Sequence, residues 1–442
     1  MTRVEVRMAA RQWWAWALAA LVVAAAAAPL VHAWLTNPDD QRLVDLDVYR
    51  TGGQMLLQGR PVYEFATPAP QLLPFTYPPV AAMLGVGLAL MSWDTAQGVW
   101  TAGIFGALGV TVWFAFREAL ARRPLAAYAP WAFAALMVAC TYLMPIRDQV
   151  RFGQVDILLV MLCLADCVAR RPWWPRGFLV GLATAVKLTP GVFLVYLLVT
   201  RQWRTFWMAS FTTALLTLLP FAVIPRDAAG FWFSALLDPE RLGSNAATTN
   251  QSLRGMLIRL YLNDGVTAGL WLTLAAVAAW YGFTAARRAY AAGDAVTAVA
   301  LVGLTAVLVS PVSWIHHLAW VVVVLAALVG DGRDRVRLWV AAGVWLYYVV
   351  PVPWWGVSLK AAEIPVVSPV LGKTVQNGYG LGAIVLVWLL ASWLPRRRTA
   401  SAQAVTPDGG HDSGHGSRHD GGNDGGHGGG NGGATPQPAD TL

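Results

Sequence analysis

Apolar runs recur along the chain at roughly 13–34, 79–92, 95–116, 125–145, 156–169, 177–199, 204–224, 266–286, 295–310, 314–330, 336–351 and 379–395. A helix needs about 20 apolar residues to cross the ~30 Å hydrocarbon core of a bilayer, and there every backbone N–H and C=O must be satisfied within the segment. The runs therefore predict an all-α polytopic membrane protein, a bundle of about 12 transmembrane helices. Composition agrees, with 57% hydrophobic residues, 13% charged and a mean hydropathy of +0.50. A soluble domain carries about 25% charged residues.

The net charge of +8 does not point to nucleic acid. Its arginines fall in short clusters between apolar runs, where membrane orientation accounts for them. The partner implied is the lipid bilayer. Cys140, Cys163 and Cys167 all lie inside apolar runs and read as packing residues, not as a disulfide or metal pair.

Arg3, Arg7 and Arg11 precede the first run, whose tryptophans stand at both ends. This predicts an uncleaved first span, a cytoplasmic N-terminus and an extracytoplasmic first loop. An even number of spans returns the C-terminus to the cytoplasm, as Arg396, Arg397 and Arg398 require. On a count of twelve, the loops at 35–78, 226–252 and 352–378 face outward and Arg287, Arg288 and the loop after Gly330 face inward. That count also puts Arg122, Arg123, Arg170 and Arg171 outside, against the positive-inside rule, so ten spans, with one pair of first-half crossings misassigned, is the alternative. We divide the chain into a membrane domain, 1–395, and a Gly/His-rich cytoplasmic tail, 396–442, too polar to order itself. The tail's His411, His415, His419 and His427 read as solvated, although weak metal binding is open to them.

Charge inside this apolar frame needs a reason, because an ionised side chain at the bilayer centre costs about 2.5–3.5 kcal/mol on insertion scales. The first outer loop carries Asp45, Asp47 and Arg50. Lys187 stands half way along an apolar run, three residues before the helix-breaking Pro190, and a cation there wants an anion. Arg147, Asp148, Arg151, Gln154 and Asp156 crowd one connection and read mainly as mutual ion pairs at a helix end. Asn250 and Gln251 suit sugar hydroxyls. His316 and His317 follow Ser310, Pro311 and Ser313 where one run gives way to the next; adjacent residues point to different sides of a helix, so one of the two is expected in the site.

Taken together, Asp45-Leu46-Asp47-Val48-Tyr49, Gly59-Arg60-Pro61-Val62-Tyr63, Phe75-Thr76-Tyr77-Pro78-Pro79, Phe152-Gly153-Gln154-Val155, Lys187-Leu188-Thr189-Pro190, Asn250-Gln251-Ser252 and Ser310 to His317 resemble glycosyltransferase family 87 over about Asp45 to His317. The resemblance implies a GT-C-like bundle, a polyprenyl-phosphate-sugar donor, a glycolipid acceptor, extracytoplasmic chemistry and inversion at the anomeric carbon. It implies α-1,2-mannosyl transfer to a phosphatidylinositol mannoside or lipomannan, with arabinofuranosyl transfer from a polyprenyl-phosphate donor as the alternative. By its spacing Asp45 is the catalytic acidic residue and His316 the catalytic histidine. Asp47, Tyr49, Arg50, Tyr77, Gln154, Lys187, Asn250, Gln251 and His317 are then substrate contacts.

The residues support that chemistry independently. Single-displacement transfer needs a base for the acceptor hydroxyl, worth ~10²–10⁴ in rate, and cations for the departing phosphate. Asp45 supplies the first; Lys187, Arg50 or His316 supplies the second. A monophosphate donor has no pyrophosphate for a metal to bridge, so no metal or other cofactor is expected. A transporter would also explain buried charge, but no second copy of these patterns marks an inverted repeat.

Overall fold

The computed structural model describes residues 3–403 apart from 39–40, 123–127, 239–240 and 242. The compact body of the chain ends at Arg397. Of the tail expected to be unstructured, 396–442, residues 396–403 lie in a helix, Leu394–Gln403, and the rest, with its four histidines, falls outside the described residues. Among the described residues the architecture is helical, and the β pairings are two isolated bridges, Ala66 with Pro74 and Asn250 with Trp314.

In chain order the principal helices are α1 (Arg3–Leu35), α2 (Val44–Leu57), α3 (Pro79–Ala89), α4 (Trp93–Ala115), α5 (Ala129–Thr141), α6 (Met144–Phe152), α7 (Asp156–Val168), α8 (Phe178–Val186), α9 (Val192–Val199) and α10 (Trp203–Val223). The second half adds α11 (Asp264–Ala291), α12 (Ala295–Val309), α13 (Val321–Val329), α14 (Arg335–Val349), α15 (Val352–Ala361) and α16 (Gly378–Trp388). Five stretches are long and apolar enough to cross a membrane alone, and seven if α5 with α6 (bent 75°) and α14 with α15 (bent 50°) each count as one. Pro145 in the first turn of α6, and Pro351 and Pro353 at the start of α15, account for the bends.

The expectation of about twelve spans therefore changes in detail. The 79–92 run makes only an 11-residue helix, α3, laid against α2. The 177–199 run is a hairpin. Gly177 lies against Thr205 and Gly181 against Ala209 and Thr212, so α8 and α10 run side by side in one direction and the chain between them doubles back. The turn is at Lys187, where Pro190 lacks the N–H that would bond Val186 and the backbone goes extended.

The centre of the body is α12, buried from Val296 to Leu308, with α13 beside it. A helix apolar on every side belongs there. In contrast α10 turns Trp207, Phe211, Leu215 and Leu218 outward, as a lipid-facing helix does. The basic Arg122 donates to the carbonyl of Gly332, and Arg397 pairs with Asp334, so both arginine clusters and the connection after α13 share one end of the bundle.

Two close approaches set the other end. A Cβ on Gly53 would lie 2.4 Å from the Gly85 carbonyl, and one on Gly85 2.4 Å from the Tyr49 carbonyl, so only paired glycines let α2 seat on α3. Gly153 ends α6 at φ 72° against Leu46, which turns Gln154 toward α2.

Candidate active site

Four polar side chains from three separate parts of the chain meet at this end. The Lys187 ammonium donates to Asp156 Oδ1 at 2.8 Å and to His317 Nε2 at 3.1 Å. His316 Nε2 lies 3.7 Å from the other oxygen, Oδ2, and His317 Nε2 3.8 Å from Oδ1. An ammonium only donates, so His317 Nε2 is the acceptor and Nδ1 carries the ring proton. That Nδ1 has no partner among the described residues, and the third N–H of Lys187 is unspent on any hydrogen bond to them. Lys187 Nζ also stands 5.3 Å from the centre of the Tyr77 ring.

Local sequence explains the convergence. Asp156 is the first residue of α7, one turn past the Gly153 break. Residues 315–320 form a 3₁₀ helix. Gln149, fully buried, couples the two: its Nε2 donates to the His316 carbonyl at 2.8 Å and its Oε1 accepts from Ile157 N at 3.3 Å. Both histidines, and not one, come within 4 Å of the carboxylate, because its two oxygens each face a different ring.

Beside the cluster, the Tyr49 and Tyr77 hydroxyls lie 2.9 Å apart and 3.2 and 3.4 Å from Gln154 Oε1, their two protons shared among the three contacts. Trp100 packs against Tyr49 with its ring tilted by 55° and donates to the Gly153 carbonyl. Asp45, one turn before Tyr49 on α2, is only partly buried by surface, yet it is set in packed protein. That burial raises its carboxyl to about 7, against the lowering pull of Lys187 and of a hydrogen bond from Gln154; the charge of Asp156 adds to the rise.

Other predicted contacts lie elsewhere. Asp47 accepts from Thr51 at 3.4 Å, and Arg50 reaches the Met91 carbonyl at 3.0 Å, near the end of α3. Asn250 and Gln251 are fully buried. Asn250 Oδ1 accepts from Ser252 N and Ser313 N; Gln251 bonds Thr248, Gln376 and Gly380. Their amides are spent on backbone, so they frame the Ser313–His317 segment and leave nothing for a sugar hydroxyl. Arg259, also buried, locks this frame by donating to Asn377 Oδ1 and to the carbonyls of Ala247 and Asn250. Asp156 and Gln149 are the residues sequence reasoning missed. The signal for Asp156 was a lone carboxylate opening an apolar run directly after Phe152–Val155.

Asp156, His316 and His317 bring one ligand atom each within 4.8 Å of one another, a set able to hold a metal ion. The Lys187 ammonium already bonds two of those atoms and supplies the positive charge, so a metal would have to displace it. Behind Asp156 and His317 a cavity of ≈ 30 Å³ is closed by Pro190, Phe193, Val307 and Trp320. What the cluster can do is hold one positive charge rigidly beside a carboxylate of raised pKa. That pairing suits proton removal next to a departing anion.

Comparison with known proteins places the chain among glycosyltransferases. The pattern that defines glycosyltransferase family 87 matches residues 75–311. A polyprenol-phosphate-mannose-dependent alpha-(1-2)-phosphatidylinositol mannoside mannosyltransferase of Mycolicibacterium smegmatis is 35% identical over 70% of this chain and 76% of its own. Its Mycobacterium tuberculosis namesake is 34% identical over 69% and 75%. A phosphatidylinositol pentamannoside mannosyltransferase of M. tuberculosis, likewise polyprenol-phosphate-mannose-dependent, is 32% identical over 76% and 77%. No solved structure matches the chain.

Proposed function

The chain belongs to glycosyltransferase family 87, and from that premise we propose that it moves mannose from a polyprenyl-phosphate donor to a phosphatidylinositol mannoside in α-1,2 linkage. The observation that carries the reading is the Lys187 ammonium, fixed by Asp156 and His317 within the field of the Asp45 carboxylate. Asp45 takes the proton from the acceptor hydroxyl, whose oxygen attacks the anomeric carbon. The bond from that carbon to the phosphate oxygen breaks, and polyprenyl phosphate leaves with the electron pair. One displacement inverts the configuration.

The free N–H of Lys187 and the Nδ1–H of His317 receive the phosphate charge. His316, facing Asp156 Oδ2, positions that carboxylate and does not touch substrate. Tyr49, Tyr77 and Gln154 line the approach between Asp45 and Lys187. Purified protein supplied with radiolabelled polyprenyl-phosphomannose and phosphatidylinositol mannoside should yield a labelled glycolipid with one more α-1,2-mannose. Transfer from polyprenyl-phosphoarabinose alone would move the assignment to the arabinosyl alternative.

On sidedness, the contacts favour ten crossings over twelve. With α3 lying against α2 and the 177–199 hairpin entering and leaving at one end, Arg122, Arg170 and Arg171 come to the same side as Arg397 and satisfy the positive-inside rule. The site then faces the extracytoplasmic side and both ends of the membrane domain face the cytoplasm. Single cysteines at the exposed Ala66 and Ser358, in a background lacking the three native ones, should react with a membrane-impermeant maleimide in intact cells. Labelling only after lysis would reverse the orientation.

A further inference from the structure

A transferase that moves a sugar from one lipid to another must hold two anchors and two phosphates, and the Lys187 cluster accounts for one phosphate. A second set of features lies across α6 from it. Between α1 and α4 runs a groove of ≈ 720 Å³, within the range of about 300–1,000 Å³ usual for ligand sites. Small residues recur at one-turn spacing on its walls, Ala20, Ala24 and Ala27 on α1 and Gly98, Ala102 and Gly106 on α4, among larger apolar ones such as Trp16 and Phe105. Small-residue stripes ordinarily let membrane helices close on each other. Here α1 leans on α5 and α6 instead, and the stripes stand apart.

Polar groups gather at the site end of the groove. Thr101, 8% exposed, belongs to its lining and carries a hydroxyl with no partner among the described residues, and the indole Nε1 of Trp34, next to the lining residue Leu35, is also unpartnered. Arg151 places its guanidinium 5.3 Å from the Trp34 ring centre and 5.0 Å from that of Phe152, with no ion pair among the described residues. Arg147 and the buried Asp148 stand on the same helix as Arg151. Phe152 in turn meets the His316 ring at 6.5 Å, and Trp100, on the groove helix α4, meets Tyr49 at 5.5 Å. The groove thus opens beside the Asp45 face of the site, where the acceptor hydroxyl must lie.

We propose that this groove seats an acyl chain of the acceptor glycolipid and that Arg151 takes its phosphodiester. The assignment rests on the reading of the acceptor as a phosphatidylinositol mannoside. It is tested by binding to the full chain in nanodiscs without donor, so that it can fail independently of mannose transfer. The acceptor probes are phosphatidylinositol mannoside and its deacylated counterpart, which keeps the phosphate; polyprenyl-phosphomannose binding is measured in separate samples. A Cβ at Gly106 meets nothing within 4 Å, so Gly106→Leu fills the groove without pressing on the frame. It should weaken the acylated probe about tenfold, the equivalent of roughly two methylenes left unburied, and shift the ratio of acylated to deacylated binding by that factor. Arg151→Gln should weaken both probes about tenfold, because both carry the phosphate. Loss of polyprenyl-phosphomannose binding with acceptor binding intact would overturn the proposal and give the groove to the donor. Unchanged binding of every probe would overturn it in favour of bulk lipid.

Discussion

Lys187→Met is expected to remove at least ~99.9% of transferase activity. Two losses combine. Removing a donor aimed at developing charge costs about 10²–10³ in turnover. Removing one partner of a buried ion pair leaves Asp156 uncompensated, with only 9% of its side chain exposed, at about 3–5 kcal/mol. The two can be separated. Lys187→Met with Asp156→Leu replaces the pair by apolar groups and should recover thermal stability, since such replacement is often neutral or stabilising. It should not recover activity. Melting temperature and kcat measured on the same preparations decide the matter; a Lys187→Met enzyme keeping more than about a tenth of wild-type kcat would show that no phosphate rests on this cation.

Asp45→Asn keeps shape and removes the proposed base, so kcat should fall by roughly a hundredfold or more while the protein remains folded. The pH dependence follows from the raised carboxyl. A base acts only when deprotonated, so wild-type kcat/KM should be flat above about 7 and fall about tenfold for each pH unit below it. The Asp45→Asn enzyme should lose that limb. If Asp47→Asn abolishes transfer while Asp45→Asn is nearly silent, the base is two residues further along α2.

Much of this site was legible because its residues are polar interruptions in apolar runs, and a membrane exposes such interruptions. Asp45, Tyr49, Tyr77, Gln154, Lys187 and both histidines could each be picked out this way, and they do converge. Asp156 was hidden by its neighbours: with Arg147, Asp148 and Arg151 close in sequence it read as part of a local ion-pair network, whereas its partner Lys187 lies 31 residues on. Asn250 and Gln251 misled for the opposite reason, since an amide that binds sugar and one that caps backbone look alike until the bridge between Asn250 and Trp314 is seen. The number of spans was not legible, because hydropathy is blind to direction. Residues 177–199 are apolar enough to cross, and only the parallel course of α8 and α10 reveals that the chain turns back at Lys187.

The central claim is that Asp45, on α2, and the Lys187–His317–Asp156 cluster serve one transition state. A double-mutant cycle on kcat/KM tests it most directly, using Asp45→Asn, His317→Ala and the pair, each checked for wild-type melting. Residues acting as a unit are strongly non-additive. The double variant is therefore expected to be little slower than the slower single variant. Losses that simply multiply would contradict the claim and would mean that the histidine and the carboxylate act apart.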